Sequence, residues 1–297
     1  MAIPESQLET WSHQGSVTQS ASTYATIRRA LESDSATYTS RDFVVFLQGS
    51  YGNDTNTYAE SDVDVVIRLD ATFYYSLDDL TQAERSAFES AHSGAATYTY
   101  AQFKAHVLQA LRNSFPGAVT TANKAIKVAA SGNRRSADVV VAAQFRRYRR
   151  FLSPSDATYD EGICLFTASG DRVVNYPRQH SENCTAKHQA TNGWFKPTVR
   201  ILKNIRGAMV GAGLIGQGIA PSYFLEGLLY NVPNQHFGGS YEDTMVASIN
   251  WIRGADRSQF VCANEQYYLL RDVAETWPPA NCESFLAALA QFWRDWS

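Results

Sequence analysis

The spacing of apolar residues divides the chain into a region of strand-like runs and a region of helical spacing. Before residue 177, short apolar runs such as Phe43–Leu47 and the stretch 63–67 predict strands. After residue 177, apolar residues recur every three or four positions, which predicts mostly helices. A mixed sheet followed by helices is typical of the α+β class.

The same spacing predicts where individual helices lie. In the first region we predict an irregular stretch at 72–98 and helices at 16–33, within 76–91 and at 100–115. In the second region we predict helices at 181–191, 194–209, 222–231, 241–253 and 283–296. A chain of 297 residues is long enough for two lobes that share a cleft. We place these lobes at 1–176, braced by the first long helix, and at 177–297.

Composition narrows the class of protein without indicating an activity. Hydrophobic residues make up 44% of the chain and the mean hydropathy is −0.30, which is typical of globular proteins. No apolar run approaches the ~20 residues of a membrane span, and the first residues do not resemble a secretory leader. Four scattered cysteines fit a reducing cytoplasm. A net charge of −3 argues against extended nucleic-acid binding, because proteins that hold a duplex are generally basic.

Two acidic residues one position apart, Asp62 and Asp64, carry the main chemical prediction. They begin an apolar run that continues to Ile67, and alternate residues of a strand share a face. Neighbouring carboxylates on such a strand repel each other and lose hydration, and a bound divalent cation removes this cost. The preceding turn, Gly49-Ser50, offers a hydroxyl and backbone N–H groups to a phosphate. A metal beside a phosphate site predicts phosphoryl or nucleotidyl transfer, although paired strand acids also often lie on a solvated face.

A third carboxylate, Asp138, starts another apolar strand. The segment 123–129 alternates in polarity and precedes a turn at 131–133, so it is predicted to form a hairpin with the strand of Asp138. If the sheet places Asp138 beside Asp62 and Asp64, the three carboxylates suit two Mg²⁺ ions roughly 3.5–4 Å apart. Mg²⁺ prefers oxygen-only ligands that leave positions for water and phosphate. Taken alone, Asp138 is an ordinary acid at a strand end.

Together these residues resemble those of a known superfamily. Gly49-Ser50, Asp62-x-Asp64 and the later Asp138 are similar to the nucleotidyltransferases that include DNA polymerase β. Within them, the chain resembles the bacterial cGAS/DncV-like nucleotidyltransferases, which make cyclic oligonucleotide signals in anti-phage defence. The resemblance runs from about residue 43 to residue 233. It rests on the segments GSYGNDTNTYAESDVDVVI, NYPRQH, KHQATNGWFKPTVRILKNIR and APSYFLEGLLYNVP.

The resemblance implies a fold and a set of metal ligands. It implies a polymerase β-like catalytic lobe at 1–176 and a helical lobe at 177–297 that closes the nucleotide cleft. It assigns catalysis and the binding of two Mg²⁺ ions to Asp62, Asp64 and Asp138. Asp138 is the best candidate to accept the proton of the attacking sugar hydroxyl, because it would ligand the ion on the side of this nucleophile. One ion would activate that hydroxyl, and the other would neutralise the triphosphate and its pyrophosphate leaving group.

The resemblance also implies residues that bind the nucleotide. Gly49 and Ser50 would bind the donor triphosphate, and Lys203 would reach the phosphates. Ser222 would contact the phosphate and Tyr223 would stack on the base. From the residues alone, Ser222 is equally explained as a helix start, where free N–H groups favour anions, and Tyr223 as a core residue.

Three basic residues agree in part with these implied roles. Lys196, Arg200 and Lys203 are spaced by four and three, so they form a stripe on one face of the helix predicted at 194–209. A basic stripe on a solvated helix face has the same spacing. The sequence therefore leaves both interpretations open.

Two further clusters receive no predicted role. His180, Cys184 and His188 fall four residues apart, which would align three zinc ligands on one helix, but no fourth Cys or His lies nearby. Partly buried helix residues explain them as well. The basic run at 146–150 would place side chains on both faces of a strand, so we interpret it as a solvated, salt-bridged strand end.

These features predict an enzyme that joins nucleoside triphosphates into a cyclic di- or trinucleotide and releases pyrophosphate. A downstream effector would be bound only through the product, with no extended nucleic acid and no membrane as partner. A linear oligonucleotide synthase or a toxin that modifies tRNA or protein would use the same acids. A non-catalytic nucleotide- or RNA-sensing module is the alternative from another class, and three retained acids argue against it. The sequence leaves the bases, the ring size, the linkage and the oligomeric state open.

Overall fold

The computed structural model describes residues 3–15, 17–58, 62–94, 96–273 and 275–296. Within them the chain has the predicted α+β architecture, a seven-stranded mixed sheet with helices. The strands are β1 (Phe43–Leu47), β2 (Val63–Ser76), β3 (Val119–Thr121), β4 (Ile126–Val128), β5 (Ala137–Ser153), β6 (Asp156–Phe166) and β7 (Arg172–Asn175). The helices are α1 (Glu5–Ser12), α2 (Val17–Leu31), α3 (Gly49–Gly52), α4 (Gln82–Ala91), α5 (Tyr100–Ser114), α6 (Pro177–Ala190), α7 (Phe195–Gly211), α8 (Ser222–Tyr230), α9 (Tyr241–Gly254) and α10 (Pro279–Arg294).

The predicted helices are all found in the described residues, with ends that differ by up to four positions at α6 and α10. Ser16, the predicted first residue of α2, lies outside the described residues. The irregular stretch predicted at 72–98 is wrong at its start, because residues 72–76 continue β2. These residues pair with β5 after a bulge that follows Leu69, and their burial does not alternate. A strand whose residues do not alternate between buried and exposed lacks the two-residue period from which strands are predicted in a sequence.

Strand β5 is the centre of the sheet. It pairs in parallel with β2 along one edge, while β4 and then β6 pair antiparallel with it. The sheet order is β1-β2-β5-β4-β3, and β6 and β7 extend it beside the second half of β5. Apolar side chains of these strands form one core cluster: Val66, Val140, Ala142, Ile163, Leu165 and Val173. The long central strand therefore brings its own first residues beside those of β2.

The chain divides into two compact units. One unit contains Met1–Val17, Gly49–Ser61 and Pro177–Ser297, and the other contains Thr18–Gln48 and Asp62–Tyr176. Helices α6 to α10 pack around a continuous apolar core in the first unit, which includes Phe195, Leu225 and Trp277. The segment that carries Gly49 and Ser50 thus folds with the C-terminal helices, and the sheet belongs to the second unit. Within the described residues, no helix is both long and apolar enough to cross a lipid bilayer.

Candidate active site

Two of the three predicted acids are direct neighbours across the sheet. In the parallel pairing of β2 and β5, Asp64 lies opposite Asp138, and Val63 lies opposite Ala137. Residues opposite each other share a face of the sheet, so both carboxylates point to the same side. Asp64 and Asp138 are half-buried, whereas Val63 is fully buried among the core residues. The predicted arrangement of these two acids in the sheet is present.

The third acid, Asp62, directly precedes β2. Its carboxylate accepts a short hydrogen bond from the hydroxyl of Ser136, the residue that precedes β5. The backbone N–H of Val63 also donates to the carbonyl of Ser136, at 3.0 Å. Asp62 is exposed, so it stands at the solvated end of the strand pair that carries Asp64 and Asp138.

Strand β4 adds a cation to this face. The hairpin predicted between 123–129 and the strand of Asp138 is present, and Lys127 lies opposite Asp138 in the register of β4 and β5. The Lys127 Nζ atom is 3.6 Å from Oδ2 of Asp138. Burial raises the pKa of the Asp138 carboxyl, Lys127 acts to lower it, and the nearby charge of Asp62 raises it further. The strand register places a lysine where its charge offsets part of the cost of burying this acid.

The chemistry of these acids fits Mg²⁺. All three are carboxylates, and oxygen-only ligands from one or two carboxylates plus substrate phosphates are what Mg²⁺ takes in proteins. Among the described residues, the only acidic, histidine or cysteine side chains that bring three ligand atoms within 4.8 Å of one another are His180, Cys184 and Glu226. The oxygen atoms of the three aspartates, all within the described residues, therefore do not all lie within 4.8 Å of one another.

The turn with Gly49 and Ser50 forms a single helical turn, α3. Gly49 has a φ of 68°, a left-handed conformation that glycine adopts without steric cost. The turn is closed by backbone hydrogen bonds from Asn53 N–H to the Gly49 carbonyl (3.1 Å) and from Thr55 N–H to the Ser50 carbonyl (2.9 Å). The position of Ser50 is thus coupled to the residues that follow the turn.

The three basic residues of α7 contact the same segment. Lys196 forms an ion pair with Asp54 at 3.0 Å, and Arg200 donates to the Asp54 carbonyl. The buried Lys203 donates from Nζ to the carbonyl of Thr55 at 2.8 Å. The alternative of a solvated basic face is therefore wrong, because each of these cations has a partner in the protein. The contact of Lys203 with a phosphate stays a prediction.

Helix α8 begins at Ser222, as predicted. The hydroxyl of Ser222 lies 3.4 Å from Nη2 of Arg206, which donates to it. Tyr223 is only partly buried: its ring stacks on His180 at 4.7 Å, and its hydroxyl accepts a hydrogen bond from Asn264 at 2.9 Å. Burial raises the pKa of the Tyr223 hydroxyl well above its usual range. Its proposed contact with a base is not tested by these contacts.

The zinc alternative for His180, Cys184 and His188 is not supported by their contacts. His188 is absent from the close group that His180 and Cys184 form with Glu226, and its Nδ1 accepts from the backbone of Lys196. The Nε2 atom of His180 lies only 2.5 Å from the Glu226 carboxylate. Two ligands of a tetrahedral zinc, each about 2.0–2.2 Å from the metal, would stand roughly 3.3 Å apart. The pair is therefore a hydrogen bond.

Glu226 is a residue that the sequence analysis missed. It is the single acid of the apolar helix α8, and its side chain is 3% exposed. Its carboxylate accepts hydrogen bonds from His180, Asn53 and Thr55. Burial acts to raise the pKa of Glu226, but the hydrogen bond and charge of His180 and the charge of Lys203 lower it. A lone acid within an apolar helix is the sequence feature that could have indicated a buried carboxylate with protein partners.

The arginine cluster matches the interpretation of a salt-bridged strand end. Arg147 and Arg149 both pair with Asp79 at 2.8 Å. Arg150 pairs with Asp156 at the same distance. These ion pairs account for the cluster without a ligand.

The fold and the acidic face, which is the face of β2 and β5 that carries Asp64 and Asp138, define the class of protein. A mixed sheet that carries carboxylates on adjacent strands, followed by helices, is the architecture of a polymerase β-like nucleotidyltransferase. Residues 182–294 match the family model of the cGAS/DncV-like nucleotidyltransferase C-terminal helical domain. The chain is 41% identical over 298 aligned positions to the cyclic UMP-AMP synthase of Rhodothermus marinus, with 100% of this chain and 99% of the relative covered. It is 34% identical to the cyclic nucleotide synthase CdnE01 of Staphylococcus haemolyticus, with both chains fully covered.

Solved structures agree with these relatives. The Rhodothermus marinus CdnE c-UMP-AMP synthase, solved with Apcpp and Upnpp, has a TM-score of 0.88 and 40% identity, covering 99% of this chain and 98% of that one. The Elizabethkingia meningoseptica CdnE cyclic dinucleotide synthase, solved with GTP and Apcpp, has a TM-score of 0.75 and 28% identity, covering 98% of each. The chain belongs to the cGAS/DncV-like nucleotidyltransferases. It is accordingly a nucleotidyltransferase.

The contact between Lys127 and Asp138 generates a prediction for the metal-free protein. Substitution Lys127→Met should raise the pKa of the Asp138 carboxyl, because it removes the cation that opposes the effect of burial. Carbon-13 NMR of the aspartate carboxyls over a pH titration measures this pKa. Lys124→Met, which removes an exposed charge outside the strand, should leave it unchanged. An Asp138 pKa that stays equal or falls in the Lys127 variant would contradict the contact.

Proposed function

We propose that this protein is a Mg²⁺-dependent synthase that joins two or three nucleoside triphosphates into a cyclic oligonucleotide and releases pyrophosphate. The observation that carries the proposal is the pairing of Asp64 with Asp138 on adjacent parallel strands. That pairing occurs in a chain 41% identical, over its whole length, to a cyclic UMP-AMP synthase. The full-length similarity to several cyclic nucleotide synthases favours a cyclic product over a linear one.

The metal ligands in this proposal are Asp62, Asp64 and Asp138. Bound Mg²⁺ supplies positive charge to the triphosphate and to the attacking hydroxyl. The protein contributes position and electrostatics, because phosphoryl and nucleotidyl transfer need little covalent chemistry from side chains. Asp138 accepts the proton of the ribose hydroxyl that attacks the α-phosphorus. Three carboxylates suit two Mg²⁺ ions, and two-metal sites are typical of enzymes that transfer nucleotidyl or phosphoryl groups.

The nucleotide-binding residues in this proposal belong to the unit of C-terminal helices. Ser50 binds the donor triphosphate through its hydroxyl, and Gly49 permits the turn that presents it. Lys203 contributes positive charge to the phosphates. Ser222 contacts a phosphate at the start of α8, and Tyr223 stacks on a base. These residues lie in the sequence segments on which the resemblance to the cGAS/DncV-like family rests, and this supports the assignments.

The product would act as a signal in anti-phage defence by binding a downstream effector, which the synthase meets only through that product. We place the reaction in the cytoplasm. Nucleoside triphosphates are available there, and all four cysteines are buried free thiols, as a reducing compartment favours.

The metal ligands generate the first prediction of the proposed function. The double substitution Asp62→Asn and Asp64→Asn should lower pyrophosphate release from nucleoside triphosphates by more than about 1,000-fold, since metal ions supply several kcal/mol of charge stabilisation. Asp42→Asn removes an exposed carboxylate at the entrance of β1 in the same unit and should leave the rate within about two-fold. Circular dichroism checks that each variant is folded. Full turnover in the folded double variant would refute the assignment.

The product generates the second prediction. Purified protein incubated with the four labelled nucleoside triphosphates and Mg²⁺ should form a phosphatase-resistant product whose mass equals that of a cyclic di- or trinucleotide. A phosphatase-sensitive product would instead identify a linear synthase. Label transferred to tRNA or protein would identify a toxin, and no pyrophosphate release would favour a binding module.

Lys203 generates the third prediction. Lys203→Met should raise the KM for the donor triphosphate by about 10-fold or more, which is the effect of losing one hydrogen bond to a charged group. Arg253→Met changes an exposed cation of α9 in the same unit, and it should change the KM far less. Steady-state kinetics with both variants, at a temperature where both are folded, makes the comparison. Equal KM values in Lys203→Met and the unchanged protein would remove Lys203 from the site.

A further inference from the structure

The segment that follows α3 is polar and yet buried. Residues 53–57, the 53–57 loop, include Asn53, Thr55, Asn56 and Thr57, all of which are shielded from solvent. Loops normally lie at the surface, because their polar groups need water. A buried polar loop keeps its conformation only if the surrounding protein satisfies its hydrogen bonds.

Glu226 satisfies two of these side chains, those of Asn53 and Thr55. Its Oε2 atom accepts from Asn53 Nδ2 at 3.0 Å and from His180 Nε2 at 2.5 Å. Its Oε1 atom accepts a short hydrogen bond from the hydroxyl of Thr55. An ionised carboxylate has about four lone-pair sites, and here three of them are used by donors from two separate segments. A single buried carboxylate therefore holds Asn53 and Thr55 of the loop.

Cations complete the same arrangement. Lys203 donates to the backbone carbonyl of Thr55 at 2.8 Å and also lowers the pKa of Glu226 through its charge. On the exposed side of the loop, Lys196 pairs with Asp54, whose backbone is left-handed with a φ of 56°. A non-glycine residue in this conformation is retained where its neighbours are firmly held. Opposite charges thus hold the loop from its buried and exposed sides.

The loop is joined to Ser50 by direct hydrogen bonds. Thr55 donates its backbone N–H to the Ser50 carbonyl, and Asn53 donates to the Gly49 carbonyl. Helix α3 has only four residues, and a single helical turn has little stability of its own, because nucleation fixes several residues for one hydrogen bond. The position of Ser50 therefore depends on Asn53 and Thr55, both of which are held by Glu226.

We propose that Glu226 is a positioning residue for the donor phosphate-binding turn. It acts through the side chains of Thr55 and Asn53, which fix the backbone that presents Ser50, and it does not touch the substrate. His180 is its partner from α6, and it supplies a donor that keeps the carboxylate ionised inside the protein. This inference rests on the proposed function, because it assumes that Ser50 binds the donor triphosphate.

The proposal is tested by kinetics and by binding of a non-hydrolysable nucleoside triphosphate analogue with Mg²⁺. Glu226→Ala should lower kcat/KM by about 10- to 100-fold, mainly through KM, since misplacement of a binding group by about 1 Å has effects of this size. The dissociation constant of the analogue should rise in parallel. Glu226→Gln keeps the shape and one acceptor, so it should recover part of the loss. Glu283→Gln changes an exposed carboxylate of α10 in the same unit, outside this loop, and should stay within about two-fold.

A double-mutant cycle separates positioning from a general effect on stability. Thr55→Val alone should raise KM, and in the Glu226→Ala background it should add little, because the two residues act through one contact. Folding is measured by thermal unfolding, and kinetics are measured well below the midpoint. If Glu226→Ala does not fold, Thr55→Val and Glu226→Gln carry the same comparison.

Two outcomes overturn the proposal. Folded Glu226 and Thr55 variants with unchanged KM and unchanged analogue affinity would show that the contact does not position the turn. Fully additive effects of Glu226→Ala and Thr55→Val would show that Glu226 acts by another route. Failure of the proposed function is distinguishable, because the unsubstituted protein itself would then neither bind the analogue nor release pyrophosphate.

Discussion

A carboxylate that leaves water needs hydrogen-bond donors or a positive charge, and this constraint shapes both units of the protein. In the sheet, Asp138 is opposed by Lys127 across the hairpin, and Asp62 is held by the Ser136 hydroxyl. In the helical unit, Glu226 is satisfied by donors from the loop and from α6. The two cases differ in whether the carboxylates remain accessible to a ligand. The sheet acids are partly exposed, whereas Glu226 is enclosed and accepts three hydrogen bonds.

We interpret this difference in exposure as a difference in role, with ligand binding by the sheet acids and a structural role for Glu226. The half-buried Asp138 carboxylate is paired with a half-exposed lysine and is poorly compensated, because a surface ion pair contributes little. A divalent cation that arrives with a nucleotide therefore improves the electrostatics of the acidic face. The buried Glu226 carboxylate already accepts three hydrogen bonds, and breaking these contacts is costly because charge is left unpaired. In our account, the sheet acids carry the chemistry and Glu226 fixes the geometry.

Much of the fold follows from periodicity in the sequence. Helices α5 and α7 have sustained apolar spacing, and the structure contains them within two residues of the predicted bounds. Helix α1 and strand β7 were not predicted, because eight and four residues are too short to display a period. The extension of β2 through residues 72–76 depends on pairing with β5 after a bulge, which is a tertiary contact and leaves no local pattern.

The candidate site was likewise predictable only in part. Two apolar strands that begin with acids predicted that Asp64 and Asp138 are neighbours. The partners of Glu226 lie up to 173 positions away in the chain and could be found only in the folded protein.

The central claim is that carboxylates on one face of β2 and β5 bind the metal ions of nucleotidyl transfer. Anomalous diffraction from crystals grown with Mn²⁺, as a substitute for Mg²⁺, and a non-hydrolysable nucleoside triphosphate tests it most directly. The account predicts anomalous peaks within coordination distance of Asp62, Asp64 and Asp138, with two ions roughly 3.5–4 Å apart. A nucleotide bound with no peak beside these three residues, or with a peak only at His180 and Glu226, would contradict it.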